Sequence, residues 1–358
     1  MNKPAGVAFI GAGFISYLHL FAVRSNPNLK LLAIASQSKE VAEHRARIFD
    51  AAPYTFSNLG DMLARKDIDI VFVLSPNSLH AEHALAAIRA GKHLVIEKPL
   101  AITLAEAKKV TETATAAGVS IGYAENQVYS PLLLKAREMI ADGALGAVKS
   151  ALGFCGHGGP PPNGWFRKPQ FAGGGAHLDL GSHTLESVLF LTGKPPIKRV
   201  KSCVLAEAPD GGIDGKGEAV LETKDGVEIT CVSSWLETEE SFHYEVQGEK
   251  GRLRAAFSPP PQFLTFYHAD GEVENIDIPA QFDMRLNRYL ASGGYVGQVE
   301  DFERCFRTGE IPMESALDGE RVLRILTAGY LSAREKRPLD LTSPLPMEKT
   351  PIQIWLGT

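Results

Sequence analysis

Short apolar runs alternate with amphipathic stretches through the first third of the chain. Ala5 to Ile10 is a short apolar run of the kind buried in a parallel sheet, and Leu29 to Ala35, Asp69 to Leu74, His93 to Ile96 and Ser120 to Tyr123 read as further strands. Helical patterns lie between them, running through Arg24, through Ala90 and from about Thr103 to Ala117. Strand and helix alternating at this spacing predict an α/β, doubly wound parallel sheet.

After about residue 124 the pattern changes. A helix from Pro131 to Ala141 and a strand from Val148 to Phe154 lead into a Gly/Pro-rich loop, His157 to Asn163. A helical pattern opens behind Gly173-Gly174-Gly175. It is followed by strand-like runs: Val200 to Leu205, Glu218 to Thr223, Val227 to Trp235, Phe242 to Gln247, Gly251 to Ala256, Phe263 to Tyr267 and Val273 to Ile278. Asp225-Gly226 and Asp270-Gly271 mark hairpin turns between runs. Two helices, Val296 to Thr308 and Leu317 to Glu335, precede a proline-rich tail. This predicts a C-terminal α+β domain with a large open, mostly antiparallel sheet, and divides the chain into residues 1–124 and 125–358.

Composition narrows the function. A net charge of −5 leaves no basic excess to neutralise phosphates, so nucleic acid and anionic membrane surfaces are not expected partners. Small molecules are. The four cysteines are scattered without metal or redox spacing, which suits thiols in a reducing compartment. Val7 to Val23 lacks charge, as a secretory signal core does. Gly11, Gly13, Ser16 and His19 interrupt it, however, and no small-residue cleavage site is evident, so the expected location is the cytoplasm.

The first strand runs directly into Gly11-Ala12-Gly13-Phe14-Ile15-Ser16, a G-x-G-x-x-G variant in the strand-turn-helix setting of a Rossmann dinucleotide fold. Gly11 serves the tight turn, and Gly13 lets a pyrophosphate reach the backbone at a helix N-terminus. The second strand ends in Ser36-Gln37-Ser38-Lys39, where an NAD site usually has an acid for the ribose hydroxyl. Ser36, Ser38 and Lys39 instead offer donors to a 2′-phosphate, a lean towards NADP, although Ser38 also reads as a plain helix N-cap. Ser75, Asn77 and Lys98 follow later strands and complete one rim.

In Gly173 to His183, Asp179 and His183 stand four apart and share a helix face, beside glycines that leave room for a ligand. A solvated polar face, extended by Glu186, is the competing reading. His157, His177, Asp179 and His183 lack the spacing of a metal site, so no metal is expected.

Glu97-Lys98-Pro99 at a strand end, together with the later Gly-Gly-Gly-Ala-x-x-Asp-x-Gly-x-His, resembles the glucose-fructose oxidoreductase, inositol dehydrogenase and MocA (Gfo/Idh/MocA) family. The likeness covers Val7 to Ser16, Ser75 to Asn77 with His80, Gly91 to Pro99, Gly173 to His183 and Tyr295 to Leu341. It implies an N-terminal Rossmann domain and a C-terminal domain whose open sheet packs in a homodimer or homotetramer. It also implies an NAD(P)-dependent alcohol–carbonyl reaction on a sugar or polyol. Lys98, Asp179 and His183 match the family's catalytic positions. The cofactor set becomes Gly11, Gly13, Phe14, Ile15, Ser36, Ser38, Lys39, Ser75, Asn77, His80, Glu97 and Lys98, and a cis Lys98–Pro99 bond is expected.

Four further residues are candidates for the substrate, each with a plainer alternative. Asn126, with Gln127 and Tyr129, lines a cleft or makes an interdomain turn. Trp165 and Arg167 contact sugar or cofactor, or pack a loop. Tyr295 closes a pocket or sits in the core. His177 stands where the family more often has an apolar residue and reads as a partly buried histidine. The loops at 155–172, 236–240 and 280–295 are expected to decide the substrate. Two other functions fit the resemblance: glycoside cleavage through transient oxidation, and nucleotide sensing without catalysis. Sensors tend to lose the Lys or the Asp/His pair, and both are present here.

Overall fold

The computed structural model describes residues 3–258, 262–278 and 293–358. Two compact units separate among them. Residues 3–101, 105–126 and 293–320 form the first, and residues 102–104, 127–258, 262–278 and 321–358 the second.

The first unit is built on parallel strands β1 (Ala5–Ile10), β2 (Leu29–Ser36), β3 (Ala52–Thr55), β4 (Ile70–Val73), β5 (His93–Glu97) and β6 (Ile121–Ala124), in spatial order β3-β2-β1-β4-β5-β6. Its helices are α1 (Ile15–Ser25), α2 (Lys39–Phe49), α3 (Leu59–Leu63), α4 (His80–Arg89) and α5 (Leu104–Ala117). Val7, Ala8, Phe9 and Ile10 are wholly buried, as the all-apolar run requires. The strand order reverses between β1 and β4, and in such sheets ligands bind at that switch point, outside the carboxyl ends. Strand β3 was not anticipated from sequence: it is short, half-buried and carries Pro53, which an edge strand tolerates.

The second unit holds α6 (Pro131–Ala141), β7 (Val148–Gly156), α7 (Pro169–Ala172), α8 (Ala176–Thr192), β8 (Ile197–Glu207), β9 (Asp214–Thr223), β10 (Glu228–Ser234), β11 (Ser241–Gly248), β12 (Gly251–Ser258), β13 (Phe263–His268) and β14 (Val273–Ile276). These strands are antiparallel to their neighbours except at β7 and β10, which run parallel with Leu152 opposite Thr230 and Phe154 opposite Val232. Helix α8 lies on the face carrying Ala151, Gly153 and Cys155, so close that a Cβ on Gly153 would sit 2.8 Å from Val188. The opposite face carries half-buried Leu152, Phe154, Val220 and Val232, flanked by Glu245 paired with Arg252 (2.9 Å) and Arg254 (3.2 Å).

Beyond residue 293, α9 (Tyr295–Thr308) returns to the first unit, where the ring of Phe302 occupies the space a Cβ on Gly122 would need. Helix α10 (Ala316–Glu335) leads into β15 (Leu339–Asp340), which pairs with β8, and into α11 (Pro351–Leu356). The tail is therefore structured. Its overlooked signal was Thr350-Pro-x-Gln353, a capping box with proline in the first turn. No helix among the described residues is long and apolar enough to cross a membrane.

Candidate active site

At the end of β1, Gly11 adopts φ 123°, and a Cβ there would lie 2.2 Å from the Leu74 carbonyl oxygen, so the turn admits glycine alone. Around Gly13 nothing lies within 4 Å of an added Cβ. The open space beside that peptide fits a pyrophosphate approaching the backbone at the start of α1. Phe14 is 77% exposed and Ile15 half-buried at the same turn. Sequence reading missed Arg45, whose Nε and Nη2 donate to the Ala12 carbonyl (3.2 and 2.9 Å) while its guanidinium lies 3.7 Å from the Tyr17 ring centroid.

At the end of β2, Ser36 is half-buried. Ser38 does cap α2: its Oγ accepts from the Val41 amide (3.3 Å) and donates to Glu40 Oε2 (2.7 Å). That hydroxyl holds the Glu40 carboxyl below its ordinary pKa. An acid thus stands two residues beyond Ser38, where the sequence reading saw donors. Lys39 is exposed and lies 3.8 Å from Glu43.

Ser75, Asn77 and His80 are buried along the ends of β4 and α4. His80 bridges two strand ends, with Nδ1 2.7 Å from the Pro99 carbonyl oxygen and Nε2 2.9 Å from that of Ser75; burial holds its pKa below the usual imidazole range. Glu97 accepts from His19 Nε2 (2.6 Å) and from the Lys98 amide (3.1 Å). Burial alone would raise the Glu97 pKa, but the His19 hydrogen bond and the nearby Lys98 charge outweigh it and leave it lowered. Lys98 is half-buried and the Lys98–Pro99 bond is cis. Asn126 donates through Nδ2 to the Gly293 carbonyl (2.6 Å). Gln127 accepts from the Tyr244 hydroxyl. Tyr295 is buried edge-on against His19, ring centroids 5.6 Å apart.

In the second unit, α8 departs from the amphipathic helix expected. Every residue of it is buried except His183 and the terminal Thr192. Asp179 is buried with Oδ2 accepting from Trp235 Nε1 (3.2 Å), and one turn later His183 reaches partial exposure. The glycines ahead of the helix serve packing. A Cβ on Gly173 would sit 2.7 Å from Ile102, on Gly174 2.7 Å from the Tyr330 hydroxyl, and on Gly175 1.8 Å from the Asp214 carbonyl oxygen. The room expected for a ligand is filled by protein.

Two other expectations need correction. Glu186 is not solvated: it is wholly buried, accepting from Arg321 Nη2 (2.7 and 2.8 Å) with Lys194 Nζ 3.1 Å away. His177 is not partly buried but fully so, and burial pushes its pKa down to about 4. Trp165 stacks on Phe166, centroids 3.8 Å apart. Arg167 donates to the Pro160 carbonyl (3.2 Å), lies 3.6 Å from Asp210, and rests over the Trp235 ring at 5.4 Å.

Residues 5–124 match the model of an oxidoreductase family with an NAD-binding Rossmann fold, and residues 133–254 match the C-terminal domain of the same family. The chain belongs to the Gfo/Idh/MocA family. It is 28% identical to a dTDP-3,4-didehydro-2,6-dideoxy-alpha-D-glucose 3-reductase of Actinomadura kijaniata, over 93% of this chain and 97% of the relative. It is 30% identical to a D-xylose 1-dehydrogenase (NADP(+)) of Haloferax volcanii, over 81% and 85%. A crystal structure described as GenD2 from gentamicin A biosynthesis in complex with NAD aligns with a TM-score of 0.83 and 27% identity, covering 96% of this chain and 98% of that one. This Gfo/Idh/MocA member is accordingly an NAD(P)-dependent oxidoreductase with the α/β and α+β architecture the sequence predicted.

Proposed function

We propose that this enzyme moves hydride between NADP or NAD and a secondary alcohol or ketone of a sugar, inositol or related polyol, with Lys98, Asp179 and His183 as the reacting protein groups. One observation carries the reading: a helix buried along its length opens to solvent in its interior at His183, one turn from a buried carboxylate. The sugar-directed names of the relatives supply the substrate class.

A bound nicotinamide supplies or accepts the hydride at its own ring. His183 removes the hydroxyl proton in oxidation and returns it in reduction, a role suited to imidazole near neutral pH. Asp179, steadied by Trp235, orients a substrate hydroxyl or the imidazole. The Lys98 ammonium hydrogen-bonds the reacting oxygen and offsets the charge that develops on it. Gly11, Gly13, Phe14, Ile15, Ser36, Ser38, Lys39, Ser75 and Asn77 hold the cofactor, braced by His80 and Glu97. Ser36, Ser38 and Lys39 favour a 2′-phosphate, whereas Glu40 offers an acceptor to a 2′-hydroxyl. Asn126, Trp165, Arg167 and Tyr295 shape the surroundings through the contacts described above. The sheet face bearing Leu152, Phe154, Val220 and Val232 is the proposed seam of a homodimer or homotetramer, and the four buried free thiols suit the cytoplasm.

The test is purified enzyme with NADPH or NADH and a panel of keto- and aldo-sugars, scored for net cofactor turnover. Lys98→Ala and His183→Ala are each expected to lose about 100-fold or more. Full activity in either variant removes that residue from the mechanism. Bond cleavage in a glycoside without net turnover points to the glycosidase branch instead. Thermal shifts with each nucleotide rank NADP against NAD.

A further inference from the structure

Asp214 begins β9, far from α8 in sequence, yet its carboxylate caps that helix. Oδ1 accepts from the Gly175 amide (2.8 Å) and the Tyr330 hydroxyl (2.6 Å), and Oδ2 accepts from the His177 amide (2.8 Å). Asp214, His177 and Tyr330 are all wholly buried. A helix N-cap is ordinarily filled by the side chain of the cap residue itself. Here that residue is Gly175, because a Cβ would collide with the Asp214 carbonyl oxygen. The cap therefore comes from another strand.

His177 completes the joint. A Cβ on Gly217 of β9 would lie 2.6 Å from its ring, and one on Gly329 of α10 would lie 2.7 Å from its Nε2. Two glycines thus leave a berth that the imidazole fills. The first turn of α8 is keyed to β9 through Asp214 and Gly217, and to α10 through Tyr330 and Gly329. Each helical residue adds about 100° of rotation and 1.5 Å of rise, so an error at this turn is passed undiminished to every later side chain.

We infer that Asp214 is a positioning residue: together with Tyr330 it sets the rotation and height of α8, and so the placement of Asp179 and His183. The inference rests on the roles proposed for that pair. It also gives His177, which had no role in the sequence motif, the task of plugging the joint.

Asp214→Asn tests it, because the amide must turn an NH2 group towards one of the two backbone N–H donors. With the most active sugar of the panel, kcat is expected to fall about 10- to 100-fold, as a misplaced catalytic pair would require. The Kd for NADPH or NADH, read from nicotinamide fluorescence, is expected to stay within about twofold. Tyr330→Phe keeps both amide bonds to Asp214 and loses only the hydroxyl, which donates to Asp214 and also accepts from the Gly175 amide (3.2 Å), for an expected fall in kcat of about 3- to 10-fold. A folded Asp214→Asn protein with wild-type kcat overturns the inference, and if that variant does not fold, wild-type kcat in Tyr330→Phe does so. Hydrogen exchange on the unaltered enzyme needs no variant. The amides of Gly175 and His177 are expected to be protected as strongly as those of β9 and β10, and exchange within seconds also overturns it. A dead His183→Ala beside a fully active Asp214→Asn sinks this inference alone. An active His183→Ala sinks the functional reading, and the exchange experiment still decides whether Asp214 holds the turn.

Discussion

Trp235 donates its indole N–H to Oδ2 of Asp179 across 3.2 Å, so the carboxylate carried by α8 is steadied from the residue that follows β10. Indole nitrogen can only donate, and the bond requires the carboxylate as acceptor. Trp235→Phe keeps most of the ring packing and deletes the donor. A hydrogen bond to a charged group is worth about 1.5–3 kcal/mol, so kcat/KM is expected to drop roughly 10-fold or more. Steady-state kinetics with NADPH or NADH checks it, and an unchanged kcat/KM shows that Asp179 needs no such support.

Acid sensitivity follows from buried histidines, among them two besides His80. Burial lowers the pKa of His83, in the first unit, and of His177, in the second, to about 4 each. In the unfolded chain a histidine titrates near 6.5. Between these values the unfolded state binds protons that the native state refuses, so the stability they confer is intact above about pH 6.5 and drains away as pH falls towards 4. The loss is on the order of 3 kcal/mol per histidine by the time pH 4 is reached. Calorimetric Tm is expected to decline from pH 7 to pH 5, and the decline is expected to be shallower in His177→Gln. An equal slope in both proteins places the acid-labile group elsewhere.

The legible parts of this molecule were those with local causes. Gly11 and Gly13 between a buried strand and a helix named the nucleotide turn, and the cis bond at Lys98–Pro99 was expected from a lysine at a strand end. Helix α8 was visible in its apolar period, but its polar face was misread. Asp179 and Glu186 are buried because Trp235, Arg321 and Lys194 meet them, and those partners come from outside the helix. Asp214 was invisible for the same reason: a cap supplied from β9 leaves a bare glycine in the sequence. The parallel pairing of β7 with β10 depends on chain crossing, which no residue period encodes. Residues 280–292, from a loop expected to bear on the substrate, lie outside the described residues.

Glu186 offers the most direct test of the buried side of α8. Its carboxylate meets Arg321 at 2.7 Å and Lys194 at 3.1 Å, and the side chains of those cations are 32% and 23% exposed. Breaking a fully buried pair by removing one partner costs about 3–5 kcal/mol, because a charge is left without compensation. Water reaches both cations here and recovers part of that cost, so Glu186→Gln is expected to destabilise by about 2 kcal/mol. Replacing Glu186 and Arg321 together by leucine removes the carboxylate and one of its cations, and a well-packed apolar pair is often as stable as the ions it replaces. Urea unfolding is therefore expected to show the double variant closer to wild type than Glu186→Gln. If the double variant is the less stable of the two, the cluster acts through geometry rather than through charge balance, and the later turns of α8 are held by hydrogen bonds of the kind that Asp214 supplies at its start.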